Sequence, residues 1–300
     1  MYRGGGSGMS LTLPPFSRIV KMLLTINVGV FLAMLLMRAL WPSSYGLIMM
    51  IGGLIPAYVL HGAIWQLVTY SFLHLGFFHL FFNMLALWMF GSQFEIEWGE
   101  RRFLEFYFFC VVGAAISTMI VGYAGLSMLK LAVTGGWGSV GFFAGIAHVI
   151  DTPTVGASGG IYGLLIAFGI LYGDRQIYMF PLPFAIRAKY MVGIWIFIAL
   201  VGALQGAQGV ANIAHLGGAF CGWFYLRFVP RSGLQVRASE GYFGIRNRYY
   251  RWKRRRAARK FEVYMRNHDR AQYFDEHGNY KGPQDDGKNS GSGPRSPWVN

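Results

Sequence analysis

The chain has 300 residues, 54% of them hydrophobic, 17% aromatic and only 13% charged. Soluble domains carry about 25% charged residues, so the composition excludes an ordinary soluble domain and points to a membrane protein. The formal net charge of +14 is unevenly placed: 17 of the 27 Lys and Arg lie from Arg227 onward, so the basic character belongs to a tail.

In chain order, residues 1–15 contain Gly, Ser and Pro with few charges and are expected to form a disordered cytoplasmic N-terminus. The apolar run after Lys21 is long enough to stay as a membrane helix, which argues against a signal peptide. A bilayer core needs about 20 apolar residues per helix. Six stretches are candidates: Ile19–Leu40, His79–Ile96, Phe103–Ala124, Ser158–Tyr172, Tyr190–Leu204 and Val210–Val229. The fourth and fifth are short, as for helices that begin below the surface or lie inside a bundle. The expected fold class is all-α, a polytopic membrane protein with a six-span domain over residues 16–230. Cys110 and Cys221 lie inside apolar runs and read as small buried hydrophobes, not a disulfide framework.

The connection 41–78 has no Lys, Arg, Asp or Glu. It is apolar but broken by Gly52, Gly53 and Pro56, and reads as a loop lying partly in the outer leaflet. Backbone groups at that depth must be satisfied by protein. The alternative is a seventh span, which would break the alternation of charge. Arg101 and Arg102 follow span two, Lys130 alone is basic between spans three and four, and Arg175, Arg187 and Lys189 follow span four. The connection around Gln205–Gly209 carries no charge, and the tail is strongly basic. This alternation predicts that both termini are cytoplasmic and that Ser158 opens from the outer face. Residues 231–300 form a basic, partly disordered cytoplasmic tail. Arg246–Asn267, RNRYYRWKRRRAARKFEVYMRN, reads as a cationic helix or arm against the anionic headgroups of membrane lipids. Nucleic acid is the alternative partner and is not expected. The polar end GPQDDGKNSGSGPRSPWVN is expected to be disordered.

Polar residues within spans are costly and are functional candidates. Ser158 sits in GASGG, residues 156–160, at the mouth of span four. Taken alone, its hydroxyl could bond its own helix backbone. His215 lies in span six among small residues, NIAHLGGAFCGW. Gly218 and Gly222 form a G-x-x-x-G face, as do Gly159 and Gly163, and such faces let helix backbones approach closely. Packed together, they would bring Ser158 and His215 within hydrogen-bond reach, and the imidazole could take the serine proton. The alternative for His215 is a helix–helix hydrogen bond with no chemistry. His79 and Asn83, four apart in HLFFN, share one face of span two. Two N–H donors aimed at one spot suit an oxyanion hole; interhelical hydrogen bonding is the alternative. No metal or cofactor is expected, because His74 and His79 are five apart and lack an H-E-x-x-H pattern. The six spans contain no Asp, which disfavours aspartate-based intramembrane proteolysis.

HLxFN, GASGGIYG and AHLGG, in this order over six spans, resemble the rhomboid intramembrane serine proteases. The resemblance covers about residues 15–230 and includes FGSQFEIEWGERRFL, with Glu95 and Gly99 in matching places. It implies a six-transmembrane-helix rhomboid bundle with a membrane-embedded first loop. It also implies an intramembrane serine endopeptidase with Ser158 as nucleophile and His215 as general base and acid. The oxyanion donors would be His79, Asn83 and the Ser158 backbone N–H. Tyr162 would pack on the imidazole, and Gly156 and Gly159 would support the serine. Where the family often has Trp-Arg in the first loop, this chain has Trp65-Gln66. Asp151 is a candidate third member, though it precedes the helix. The implied substrates are single-span membrane proteins with helix-weakening residues near the cut. The expected location is a bacterial inner (plasma) membrane. Two rival readings remain: a catalytically inactive rhomboid-like protein that binds membrane clients, and a transporter, which commonly uses charged residues at mid-depth.

Overall fold

The computed structural model describes residues 14–136, 140–178, 185–204, 210–229, 246–260, 263 and 276–277. The chain divides into two units, residues 1–234 and 235–300. Of the ends expected to be disordered, 1–15 and 282–300, all but residues 14 and 15 lie outside the described residues.

The first unit is a helical membrane bundle, and each predicted span is helical. These are α1 (Arg18–Leu40), α5 (Phe77–Ala86) continuing through a π-helical turn (Leu87–Gly91) into α6 (Ser92–Trp98), α7 (Glu100–Thr134), α9 (Ser158–Leu171), α10 (Ala188–Ala203) and α11 (Val210–Phe228). By length and composition alone, α1 and α7 can each cross a membrane. α9 has only 14 residues, about 21 Å of helix against a hydrocarbon core of about 30 Å. Its first residue, Ser158, cannot lie at one membrane surface while its last reaches the other.

The first connection is neither one loop nor a seventh span. It breaks into α2 (Ser44–Gly52), α3 (Pro56–Leu60), α4 (Gln66–Thr69) and a 3-10 turn (Tyr70–Phe72), each too short to span. Its backbone groups are satisfied by protein, as lipid requires. Leu54 and Thr154 exchange two 2.9 Å backbone hydrogen bonds. The Thr69 hydroxyl donates to Gly52 O at 2.8 Å. The residues from Gln66 to Phe72 and those from Phe77 to Trp98 meet at 101°, so the chain turns sharply just before His79.

Glu95 explains how α1 begins. Its carboxylate accepts the backbone N–H groups of Ile19 and Val20, both at 2.8 Å, and the Ser17 hydroxyl. A helix start leaves four N–H groups without intrahelical partners, and a carboxylate there is favoured by the helix dipole. Glu95 is buried, so its negative charge is what these donors are organised around. We predict that Glu95→Gln lowers stability by about 1–3 kcal/mol, read as a lower thermal midpoint of the detergent-solubilised protein.

α7 runs ten residues past the expected end at Ala124. Nothing in LSMLKLAVT stops a helix, and the stop comes at Gly135 and Gly136, the latter at φ +67°. The chain returns through α8 (Val140–Ala147) and a 3-10 turn (His148–Ile150), which pack on Gly122 and Gly125. Between α9 and α10 a short hairpin pairs β1 (Gln176–Tyr178) with β2 (Ala185–Arg187). In the second unit, residues 246–260 are helical with exposed side chains.

α11 packs most extensively on α7 and α9. The contact of α9 with α11 is backbone on backbone. A Cβ added at Gly218 would lie 1.9 Å from the Gly159 carbonyl oxygen, and one at Gly222 would lie 2.8 Å from Gly163 Cα. Toward α7, a Cβ at Gly160 would sit 2.5 Å from the Tyr107 ring and one at Gly163 2.4 Å from Cys110 Sγ. The two G-x-x-x-G faces read from the sequence meet each other.

Candidate active site

This seam fixes the position of the polar pair. Ser158 is the first residue of α9, and His215 lies one turn before Gly218 on α11. Ser158 Oγ and His215 Nε2 are 2.8 Å apart, although the residues are 57 apart in the chain. The imidazole lies flat on the Tyr162 ring, with centroids 4.3 Å apart and planes within 4°. His215 Nδ1 is buried and has no hydrogen-bond partner among the described residues. In the neutral tautomer with hydrogen on Nδ1, Nε2 is free to accept the serine proton. Ring stacking holds the imidazole, and no carboxylate bonds it among the described residues. Asp151, the candidate third member, is exposed in the turn after the His148–Ile150 segment and does not partner His215.

The serine's approach is set by Gly156, whose φ of +122° favours glycine. Space demands it too, because a Cβ there would lie 2.8 Å from His79 Nε2 and 3.6 Å from Ser158 Oγ. Those distances put the His79 ring edge at the mouth of the site. His79 Nδ1 accepts a long 3.5 Å contact from Leu75 N–H, which leaves Nε2 as the donor of a neutral ring. Asn83 lies one turn further on α5. One of the two N–H groups of its amide donates to His79 O at 2.7 Å, so one remains. The N–H groups of Ser158 and its neighbours at the start of α9 have no intrahelical acceptors. A cavity of about 370 Å³ borders His215, lined also by Phe82, Asn83, Tyr162, Leu165 and Trp195 among others. It is apolar apart from Asn83 and His215 and runs between α5, α9 and α10.

Three residues support the site in roles the sequence reading did not assign. Tyr70 is buried; its hydroxyl donates to Val111 O of α7 at 2.8 Å, and its carbonyl accepts Gly156 N–H at 2.9 Å. Its ring end sits where a Cβ on Gly159 would fall, at 2.9 Å. Tyr70 thus ties the first connection, α7 and the serine's approach together. A tyrosine at a helix end gives no local sign of a partner 41 residues away. Gln66, met only as a departure from Trp-Arg, is buried. Its amide accepts from Ile55 N–H at 3.0 Å and donates to Met50 O at 2.7 Å, while Trp65 Nε1 donates to Ile51 O at 2.9 Å. His74 is buried edge-on to His79, with ring centroids 5.1 Å apart.

A Rhomboid domain family model matches residues 61–232, a stretch that begins before Gln66 and ends after α11. RHOMBOID-like protein 1 of Arabidopsis thaliana is 31% identical over 216 residues, 69% of this chain and 44% of that protein. Rhomboid protease AarA of Providencia stuartii is 28% identical over 204 residues, 67% of this chain and 68% of that protein. Rhomboid protein 1, mitochondrial, of Saccharomyces cerevisiae is 26% identical over 231 residues, 73% of this chain and 58% of that protein. The chain thus spans about half the length of the plant and yeast relatives. The matched stretch contains the whole of α9, α11 and the seam that joins Ser158 to His215, and the chain belongs to the rhomboid family of integral membrane proteins.

Proposed function

We propose that this protein is an intramembrane serine endopeptidase that cuts single-span membrane proteins in or near their transmembrane segments. The observation that carries the reading is the 2.8 Å contact between Ser158 Oγ and His215 Nε2 under a stacked Tyr162. A serine hydroxyl is a weak nucleophile at its own pKa and becomes a strong one when a base accepts its proton. In this mechanism Oγ attacks the scissile carbonyl carbon while Nε2 takes the hydroxyl proton. The carbonyl oxygen becomes an anion, received by His79 Nε2, the remaining Asn83 N–H and the Ser158 backbone N–H. The imidazolium then protonates the departing amine as the C–N bond breaks. Water, deprotonated by the same imidazole, hydrolyses the acyl-serine and restores the hydroxyl.

The cavity supports a membrane substrate. It is a mostly apolar slot beside His215, bordered by α10 as well as α5, so a transmembrane segment can approach from the side past span five. The cut segment must be locally extended, since helical carbonyls are engaged in their own hydrogen bonds. The charge alternation of the connections supports cytoplasmic termini and a site opening to the outer face, in a bacterial inner membrane. Retention of both serine and histidine favours the enzyme over a client-binding inactive relative.

The test is cleavage of a single-span substrate co-reconstituted in liposomes. The reading requires a discrete product with the wild-type protein and none with Ser158→Ala; substrate left intact by the wild type would overturn it. Asn83→Ala and His79→Ala should each lower kcat by about 10²–10³-fold with KM little changed, because an oxyanion donor acts on the transition state. A raised KM with kcat unchanged would place these residues in substrate binding instead.

A further inference from the structure

The helix at residues 246–260 is not used by this chemistry, and its composition is extreme. Nine of its fifteen residues are Lys or Arg and none is acidic. All of its side chains are exposed. Helical spacing puts Arg248, Arg251, Arg255 and Arg259 in one stripe, and with Trp252 and Arg256 they line an open groove. The guanidinium of Arg256 lies over the Trp252 ring at 5.4 Å and that of Arg246 over Tyr250 at 5.8 Å. Like charges three and four residues apart destabilise a helix. Those in the stripe repel one another at 248–251, 251–255 and 255–259, so an anionic counter-surface would stabilise the helical form.

We infer that this helix lies on the cytoplasmic face of the protein's own membrane, with the Arg248/251/255/259 stripe and Trp252 seated among phosphodiester headgroups of anionic phosphoglycerides. Two further observations select a membrane. α11 ends at Phe228, and seventeen residues separate it from Arg246; even fully extended they span roughly 60 Å. The helix is therefore confined near a surface dense in phosphates, at high effective concentration. Tyr249, Tyr250 and Trp252 are also the side chains that partition to the headgroup level. The guanidinium fork matches a phosphate geometrically, and attraction per basic residue near an anionic leaflet accumulates over the stripe. The inference does not rest on the protease reading.

The test uses the full-length protein in nanodiscs, which expose both faces, made from phosphatidylcholine with or without phosphatidylglycerol. The readout is the rate of trypsin cleavage after Lys253, followed by mass spectrometry. We expect cleavage to slow about tenfold when phosphatidylglycerol is present, high salt to restore it, and the combined variant R248Q/R251Q/R255Q/R259Q to lose the difference between lipids. Equal rates in the two disc types would overturn the inference. So would protection by RNA added to phosphatidylcholine discs together with none from phosphatidylglycerol. Failure of the protease reading would show separately, as absent fluorophosphonate labelling in both disc types.

Discussion

His215→Ala should lower kcat for a reconstituted single-span substrate by at least about 10⁴-fold, Ser158→Ala should do the same, and the double variant should be no worse than either. The expectation follows from the site's sparseness. His215 Nε2 faces Ser158 Oγ at 2.8 Å, while Nδ1 has no hydrogen-bond partner among the described residues. Among the described residues no carboxylate stands behind the ring to share its work. Removing the imidazole leaves the serine without a base, and removing the serine leaves the base without a nucleophile. Two groups that act as one unit give non-additive losses. Near-additive losses would mean that they serve separate steps. A residual rate from the oxyanion donors alone is expected.

The second large effect concerns the backbone contact. Gly218→Val should lower stability by about 1–3 kcal/mol or more and slow reaction at Ser158 by about 10²-fold even in protein that remains folded. A Cβ at Gly218 would fall 1.9 Å from the Gly159 carbonyl oxygen, which is backbone and cannot rotate away. α11 must therefore retreat from α9, and His215, one turn from Gly218, retreats with it. Gly193 on α10 is the control, since a Cβ there meets nothing within 4 Å, and Gly193→Ala should lower neither thermal midpoint nor reactivity. Equal behaviour of the two variants would mean that the seam does not set the distance between serine and histidine.

Much of this was legible in the sequence because it is local. Helix starts such as Arg18 and Ser158 fell within a residue or two of the apolar runs, and the two small-residue faces could be read from spacing alone. The end of α7 was not, because apolar and helix-forming residues continue past Ala124 whether or not lipid surrounds them. The first connection looked like one loop because its apolar content hides where each short helix stops. What was least visible is the long-range polar scaffold. Glu95 capping α1, Gln66 holding Ile55 and Met50, and Tyr70 joining Val111 to Gly156 each depend on a partner that no spacing rule selects. Asn83 shows a milder limit: the residue type gives two N–H donors, but only packing tells that one is spent on His79 O.

The most direct measurement is covalent labelling of the purified protein with a fluorophosphonate, mapped by peptide mass spectrometry. Phosphonylation requires a hydroxyl activated by a neighbouring base, and it reads the Ser158–His215 contact without needing a natural substrate. The account predicts a single adduct on Ser158 in the wild-type protein, with labelling slowed by orders of magnitude in His215→Ala. Labelling of Ser158 at an undiminished rate in His215→Ala, or an adduct on another residue with Ser158 unmodified, would contradict it.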